Sequence, residues 1–252
     1  MSFLNKLGIG TGGVGVGLGR GSSRPLVANT RTRLQSGPQV STVGATRAPE
    51  MNESRRLSNG LRELLWNLDG LGRGALLDLG AAWQTTLSFF IERGFRVSSE
   101  DILREWKDFL VEEAKIRDLQ NPPESLDLTA TGRATRFLQA NLQYAPASFD
   151  AVLLWDVLDY FEPVLAKQMV ASLTELLRPG AVVFAMFHSK KPETFRRYRV
   201  VDSNTLQVIS ASALCPAQRS YQNREIQDLF GRYRTIKSFV GRDQLRETLF
   251  IK

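Results

Sequence analysis

The 252 residues carry a formal net charge of +7, with one cysteine and one histidine. Residues 1–50 hold ten of the twenty glycines and six Lys/Arg against a single acid, Glu50, so +5 of that charge sits ahead of a nearly neutral remainder. Cys215 and His188 stand alone of their kind, which excludes an intramolecular disulfide, a cysteine zinc site and a histidine-rich metal site, and no run of about eighteen apolar residues is present to span a membrane.

The first fifty residues read as a disordered, Gly/Arg-rich basic tail, because isolated apolar residues cannot bury enough surface to offset the entropy of ordering. Two overlapping G-x-G-x-x-G matches, at 8–13 and 10–15, have no strand before them and no periodic helix after them, so they cannot form a phosphate cradle. Glycine also breaks the apolar positions Leu7, Ile9, Val14, Val16 and Leu18, unlike a secretory segment, and a cytoplasmic location is expected. The tail's charge allows weak contact with nucleic acid, but a nucleic-acid binder is not the expected class.

From residue 51 to 252 the pattern is that of one domain. Leu61, Leu64, Leu65 and Leu68 recur at helical spacing, with Gly70 where a helix C′ residue is expected. A strand is predicted over 75–79, a helix over 85–93, a strand over 95–98 and a helix over 102–116. Asn121-Pro122-Pro123 opens an irregular loop to about Thr131, and 136–141 reads as a weaker third strand. The apolar run 149–155 suits a strand covered on both faces. Pro163 begins a long helix that Arg178-Pro179-Gly180 stops, and 181–187 is a fifth strand. A hairpin over 197–201 and 205–210, a short helix from Asn223, and an antiparallel pair over 234–240 and 245–251 complete the chain. The expected fold is α/β: a doubly wound, mostly parallel Rossmann-like sheet of about seven strands ending in an antiparallel hairpin.

In such sheets ligands bind beyond the carboxyl ends of the strands. The first loop there is Asp78-Leu79-Gly80-Ala81-Ala82-Trp83-Gln84, with one glycine and an acid where a dinucleotide fold needs G-x-G-x-x-G, so NAD is disfavoured. At these residues the chain resembles the class I S-adenosylmethionine-dependent methyltransferases. Asp78-Leu79-Gly80 is similar to the start of the family's first motif. Asp101 falls where the family places its ribose-binding acid, and Asn141 and Leu142 where it meets the adenine. Phe149-Asp150-Ala151-Val152 and Leu177-Arg178-Pro179-Gly180 resemble its F-D-x-V and L-x-P-G. The resemblance covers about residues 60–252. It implies S-adenosyl-L-methionine as cofactor and a methyl transferase acting on a small-molecule acceptor. Asp78, Gly80, Ala82, Asp101, Asn141 and Leu142 would bind the cofactor.

Trp155 and Tyr160, beyond the fourth strand, are then candidate pocket walls, with Asp156 or Asp159 orienting an acceptor; the plain alternative makes these acids helix caps. His188, after the fifth strand, is the one imidazole able to take an acceptor proton, and is the candidate base alongside Asp156. Residues 197–210 form a candidate lid, and Arg196, Arg197 and Arg199 read as a solvated basic face. Ala82 and Gln84 replace the family's second and third glycines, with Trp83 between them. Those departures favour a second reading, a catalytically inactive methyltransferase-like binding or scaffold protein.

Overall fold

The computed structural model describes residues 53–118 and 127–252. The tail expected at 1–50 and most of the loop around Asn121 lie outside the described residues. No helix among the described residues is long and apolar enough to cross a membrane.

The chain enters on β1 (Glu53–Leu57) and turns into α1 (Asn59–Leu68). Ser58 caps this helix by accepting from the Leu61 amide at 2.9 Å, and Gly70 follows the C-cap at φ +88°, a conformation open to glycine at no steric cost. Leu61, Leu64 and Leu68 face the core, as their spacing requires. There follow β2 (Gly74–Asp78), α2 (Gln84–Ile91), β3 (Phe95–Ser99), α3 (Ile102–Arg117) and α4 (Ala130–Asn141). β4 (Phe149–Trp155), α5 (Pro163–Leu176) and β5 (Leu177–His188) form the centre. β6 (Arg196–Val200), β7 (Thr205–Ser210), α6 (Asn223–Leu229), β8 (Arg234–Val240) and β9 (Leu245–Ile251) end the chain.

The main sheet has six strands in the order β3-β2-β4-β5-β9-β8. The first four run parallel, and β9 inserts antiparallel between β5 and β8. All of β4 except Asp150 is buried, and β5 is buried from Ala181 onward, which is why these stretches read as continuous apolar runs. A second, three-stranded sheet has the order β1-β7-β6: the expected hairpin gains the N-terminal strand, which pairs with β7 along all five residues from Glu53 to Leu57. Nothing in the hydropathy of Glu53-Ser54-Arg55-Arg56-Leu57 announces a strand.

The strand expected over 136–141 is instead the second half of α4. Thr129 caps it by accepting from the Gly132 amide at 3.1 Å, and Ala134, Phe137, Leu138 and Asn141 bury one face at helical spacing. The cap lies seven residues upstream of 136–141, and within those six residues alone a helical period does not show. Among the described residues the main sheet therefore has six strands, close to the seven or so expected. Glu113 of α3, buried, holds α4 in place. It accepts from Arg136 at 2.7 Å and forms ion pairs with Arg133 at 3.2 Å and Arg117 at 3.5 Å. Glu113→Ala is expected to cost about 2 kcal/mol through loss of these charge-assisted contacts, read as a lower urea midpoint with unchanged slope.

Candidate active site

Asp78 closes β2 at 1% exposure. Its Oδ1 accepts from the Gly80 amide at 3.0 Å and from the Trp155 indole Nε1 at 2.7 Å, while Oδ2 has no partner among the described residues. Burial pushes the carboxyl up to about 6, the two hydrogen bonds holding it lower than burial alone would. Gly80 is required by close approach: a Cβ there would lie 2.5 Å from Trp155 Nε1 and 2.6 Å from its Cδ1. The Nε1–Cδ1 edge of the indole thus comes close to the backbone of the first loop.

Trp155 reaches that place through an irregularity of the sheet. The β4–β5 register slips between Leu153 and Trp155, and Trp155 sits at φ +50°, a conformation that costs an aromatic residue of order 1–3 kcal/mol. From β6, Tyr198 stacks on the indole with ring centroids 5.8 Å apart and planes within 9°, and donates its hydroxyl to Asp156 Oδ2 at 3.0 Å. The neighbouring Arg197 donates to Asp101 Oδ1 at 2.8 Å, and Asp101 also caps α3 by accepting from the Arg104 amide at 3.3 Å. The cavity left between these groups is 20 Å³, room for one water. A larger hollow of 670 Å³, lined by Trp66, Leu68 and Phe95 among others, opens beside the amino-terminal ends of β2 and β3, away from the ends where sheets of this kind bind ligands.

Behind Asp156 lies a buried polar cluster. Asp159, in the 3₁₀ turn Val157–Tyr160, accepts at Oδ2 from the His188 backbone amide at 2.7 Å and faces its ring Nδ1 at 2.9 Å. With Nδ1 donating there, Nε2 is left to accept a proton; it stands 3.7 Å from Asp156 Oδ2 and makes no hydrogen bond among the described residues. Burial pushes Asp156 up to about 6, offset in part by His188, and raises Asp159 as well.

The antiparallel β9 lying between β5 and β8, beside a reversed run of parallel strands, decides the architecture. This strand order is the one that the resemblance to class I methyltransferases implies. The chain is similar to a Burkholderia thailandensis 1,6-didemethyltoxoflavin-N1-methyltransferase solved with S-adenosylhomocysteine (19% identity over 77% of this chain and 79% of that one, TM-score 0.43). It is also similar to an S-adenosylmethionine-dependent methyltransferase from Mesorhizobium loti (12% identity, 75% and 96% covered, TM-score 0.43) and to one from Methanosarcina mazei (14%, 72% and 93%, TM-score 0.42). No family model and no curated protein matches the sequence.

Gly80, Asp101, Trp155 and Asp156 line the 20 Å³ cavity, close by Asp78, whose carboxyl Trp155 holds. Ala82 is exposed on the loop and does not line it. Asn141 ends α4 with its amide donating to the Phe137 carbonyl at 2.9 Å, and Leu142 is the C-cap; neither lines the cavity. Tyr160 is buried against Phe195, edge to face at 5.2 Å, and neither it nor His188 lines the cavity; His188 Nε2 stands 3.7 Å from Asp156, which does. Arg197 corrects the reading of a solvated basic face: its side chain is 11% exposed and paired.

Proposed function

We propose that the domain transfers a methyl group from S-adenosyl-L-methionine to a small-molecule acceptor, with the cofactor in the crevice beyond β2 and β3. The observation that carries this reading is Asp78: a buried carboxylate with one unpartnered oxygen, at the end of the first parallel strand, beside a glycine whose missing side chain lets another group, here the Trp155 indole, come close to its backbone. A cationic or hydroxyl-bearing ligand suits that carboxylate, and Asp101 at the end of β3 supplies a second acceptor for hydroxyls. Asn141 and Leu142 would lie toward the ligand's ring. When bound, the cofactor supplies an electrophilic methyl on a good leaving group. The chain's own contribution is positioning and exclusion of water. Asp156, pushed up to about 6, is poised to take an acceptor proton at its carboxylate near neutral pH, with His188 Nε2 3.7 Å behind it and Asp159 fixing the imidazole. The strand hairpin β6–β7 is the lid, since its Arg197 and Tyr198 close the crevice.

In the described conformation the polar groups fit the cofactor but the volume does not, so binding requires the lid and Trp155 to move. That 20 Å³ volume favours a second reading, a methyltransferase-like domain that serves as a binding or scaffold module. Thermal unfolding of the full chain with S-adenosylhomocysteine separates the two. At a hundredfold excess over Kd the ligand adds about 2.7 kcal/mol, a shift of roughly 5–10 °C. Asp78→Ala is expected to abolish the shift while leaving the circular dichroism spectrum unchanged. No shift of the wild type at millimolar ligand favours the scaffold reading.

A further inference from the structure

The crevice is closed by groups that each imitate a ligand contact. Trp155 donates an N–H to the same carboxylate that would receive a cationic ligand, and the edge of its ring takes up the space beside the loop backbone at Gly80. Arg197 occupies Asp101, and Tyr198 both backs the indole and occupies Asp156. These contacts come from two separate parts of the chain, and the bulge at Leu153–Trp155, with its left-handed Trp155, serves no pairing purpose in β4 that a regular strand would not serve better. A strained residue persists when its surroundings over-determine it, and here they direct the indole onto Asp78.

We infer that Trp155, Tyr198 and Arg197 form an internal plug that occupies the crevice in a ligand's place, and that strand β1 latches it shut. The inference rests on the reading of the crevice as a cofactor site. The latch is visible in the pairing. β6, which carries Tyr198 and Arg197, pairs with β7, and β7 pairs with β1 through five residues. β1 is tied in turn to the main sheet, where Arg56 forms ion pairs with Glu247 of β9 at 2.7 Å and with Asp243 at 3.0 Å, and the Ser58 amide donates to the Asn204 carbonyl in the hairpin turn at 2.8 Å. The hairpin therefore cannot lift from Trp155 without pulling on β1. A ligand that binds only the open form has its affinity reduced by the fraction open, so loosening the plug must tighten binding.

The test uses the full-length chain and three kinds of variant. Trp155→Leu removes the N–H donor and shrinks the plug; Arg197→Met removes the Asp101 contact, and the cation over the Phe195 ring, while leaving Trp155 and Tyr198 unchanged. Ser54→Pro and Arg55→Pro are compared because alternate residues of an antiparallel edge strand point their N–H at the partner, so one of the two breaks a ladder bond and the other does not. Hydrogen exchange of amides 196–210 is the first readout, and S-adenosylhomocysteine affinity the second. We expect Trp155→Leu and Arg197→Met to speed exchange over 196–210 at least tenfold while β2 and β4 stay protected, and one proline variant but not the other to do the same. Both crevice variants are expected to bind S-adenosylhomocysteine at least tenfold more tightly than the wild type. If the wild type binds and both variants bind equally or more weakly, these side chains are ligand walls and the plug is overturned while the cofactor reading stands. If nothing binds, the cofactor reading fails and exchange alone decides: unchanged protection of 196–210 in Arg197→Met and Trp155→Leu overturns the plug as well. Should Trp155→Leu not fold, Arg197→Met carries both readouts.

Discussion

Arg56→Ala is expected to destabilise the domain by about 3–5 kcal/mol, because it strands a buried carboxylate. Glu247 is 2% exposed, and burial raises its pKa even with the guanidinium of Arg56 beside it. Its Oε2 accepts from the Gly60 amide at 2.6 Å at the start of α1, so the charge cannot turn away to solvent without breaking that bond. Removing Arg56 also frees Asp243, whose ion pair with it holds the β8–β9 turn. For a domain of this size the loss corresponds to a fall in Tm of roughly 6–20 °C. The double variant Arg56→Met with Glu247→Leu should recover most of it, since two apolar side chains replace a pair whose desolvation is costly. A cost below about 1 kcal/mol for the single variant would show that the pair contributes nothing beyond a surface contact.

Stability should fall as the pH rises from 5 to 7.5. Asp78 and Asp156 are raised from 3.8 to about 6 in the folded chain, chiefly by burial, so the folded state holds protons that the unfolded state has released. Folding is then favoured on the acid side of that window and penalised above it, and the two groups together account for about 3 kcal/mol between pH 5 and 7.5. Asp159 and Glu247 are raised too and add in the same direction. The opposing groups, Asp127 and Asp202, are held below 3.8 by hydrogen bonds from Thr129 and Asn204, so their contribution is lost only as the pH falls below about 4. Urea midpoints at pH 5 and 7.5 measure the slope. Asp78→Asn, which keeps an acceptor for Trp155 and Gly80, and Asp156→Asn should each remove about half of it. A midpoint that is flat or rises over this range contradicts the burial of these acids.

This pH dependence carries a functional meaning. The two carboxyls that line or border the crevice bear their charge at a cost of folding stability, and a cationic ligand against Asp78 would relieve part of it. Ligand affinity and ligand-free stability are thus expected to change oppositely with pH above 5.

Much of the architecture is written in local order. β4, β8 and β9 fall at the expected residues, α5 begins at Pro163, and Gly70 follows α1 where its backbone is needed. Periodicity, capping and chain-breaking residues act over a few neighbours, so a single sequence is enough to read them. The same reasoning placed Asp78, Gly80 and Asp101 at the carboxyl ends of the strands, because the ends follow from the elements. Residues 136–141 are helical rather than the expected strand because the deciding cap, Thr129, lies seven residues upstream.

Other features exist only between distant parts of the chain. β1 is too short and polar to announce itself, and becomes a strand because β7 offers an open edge and Glu247 a partner for Arg56. Trp155 and Asp78 are 77 residues apart, and Arg197 and Asp101 are 96 apart. No spacing rule reports that an indole will turn through a bulge onto a buried carboxylate, or that a hairpin arginine will pair with a helix cap. Those contacts form because desolvated charges must find partners, and which partners are within reach is settled only once the sheet is assembled.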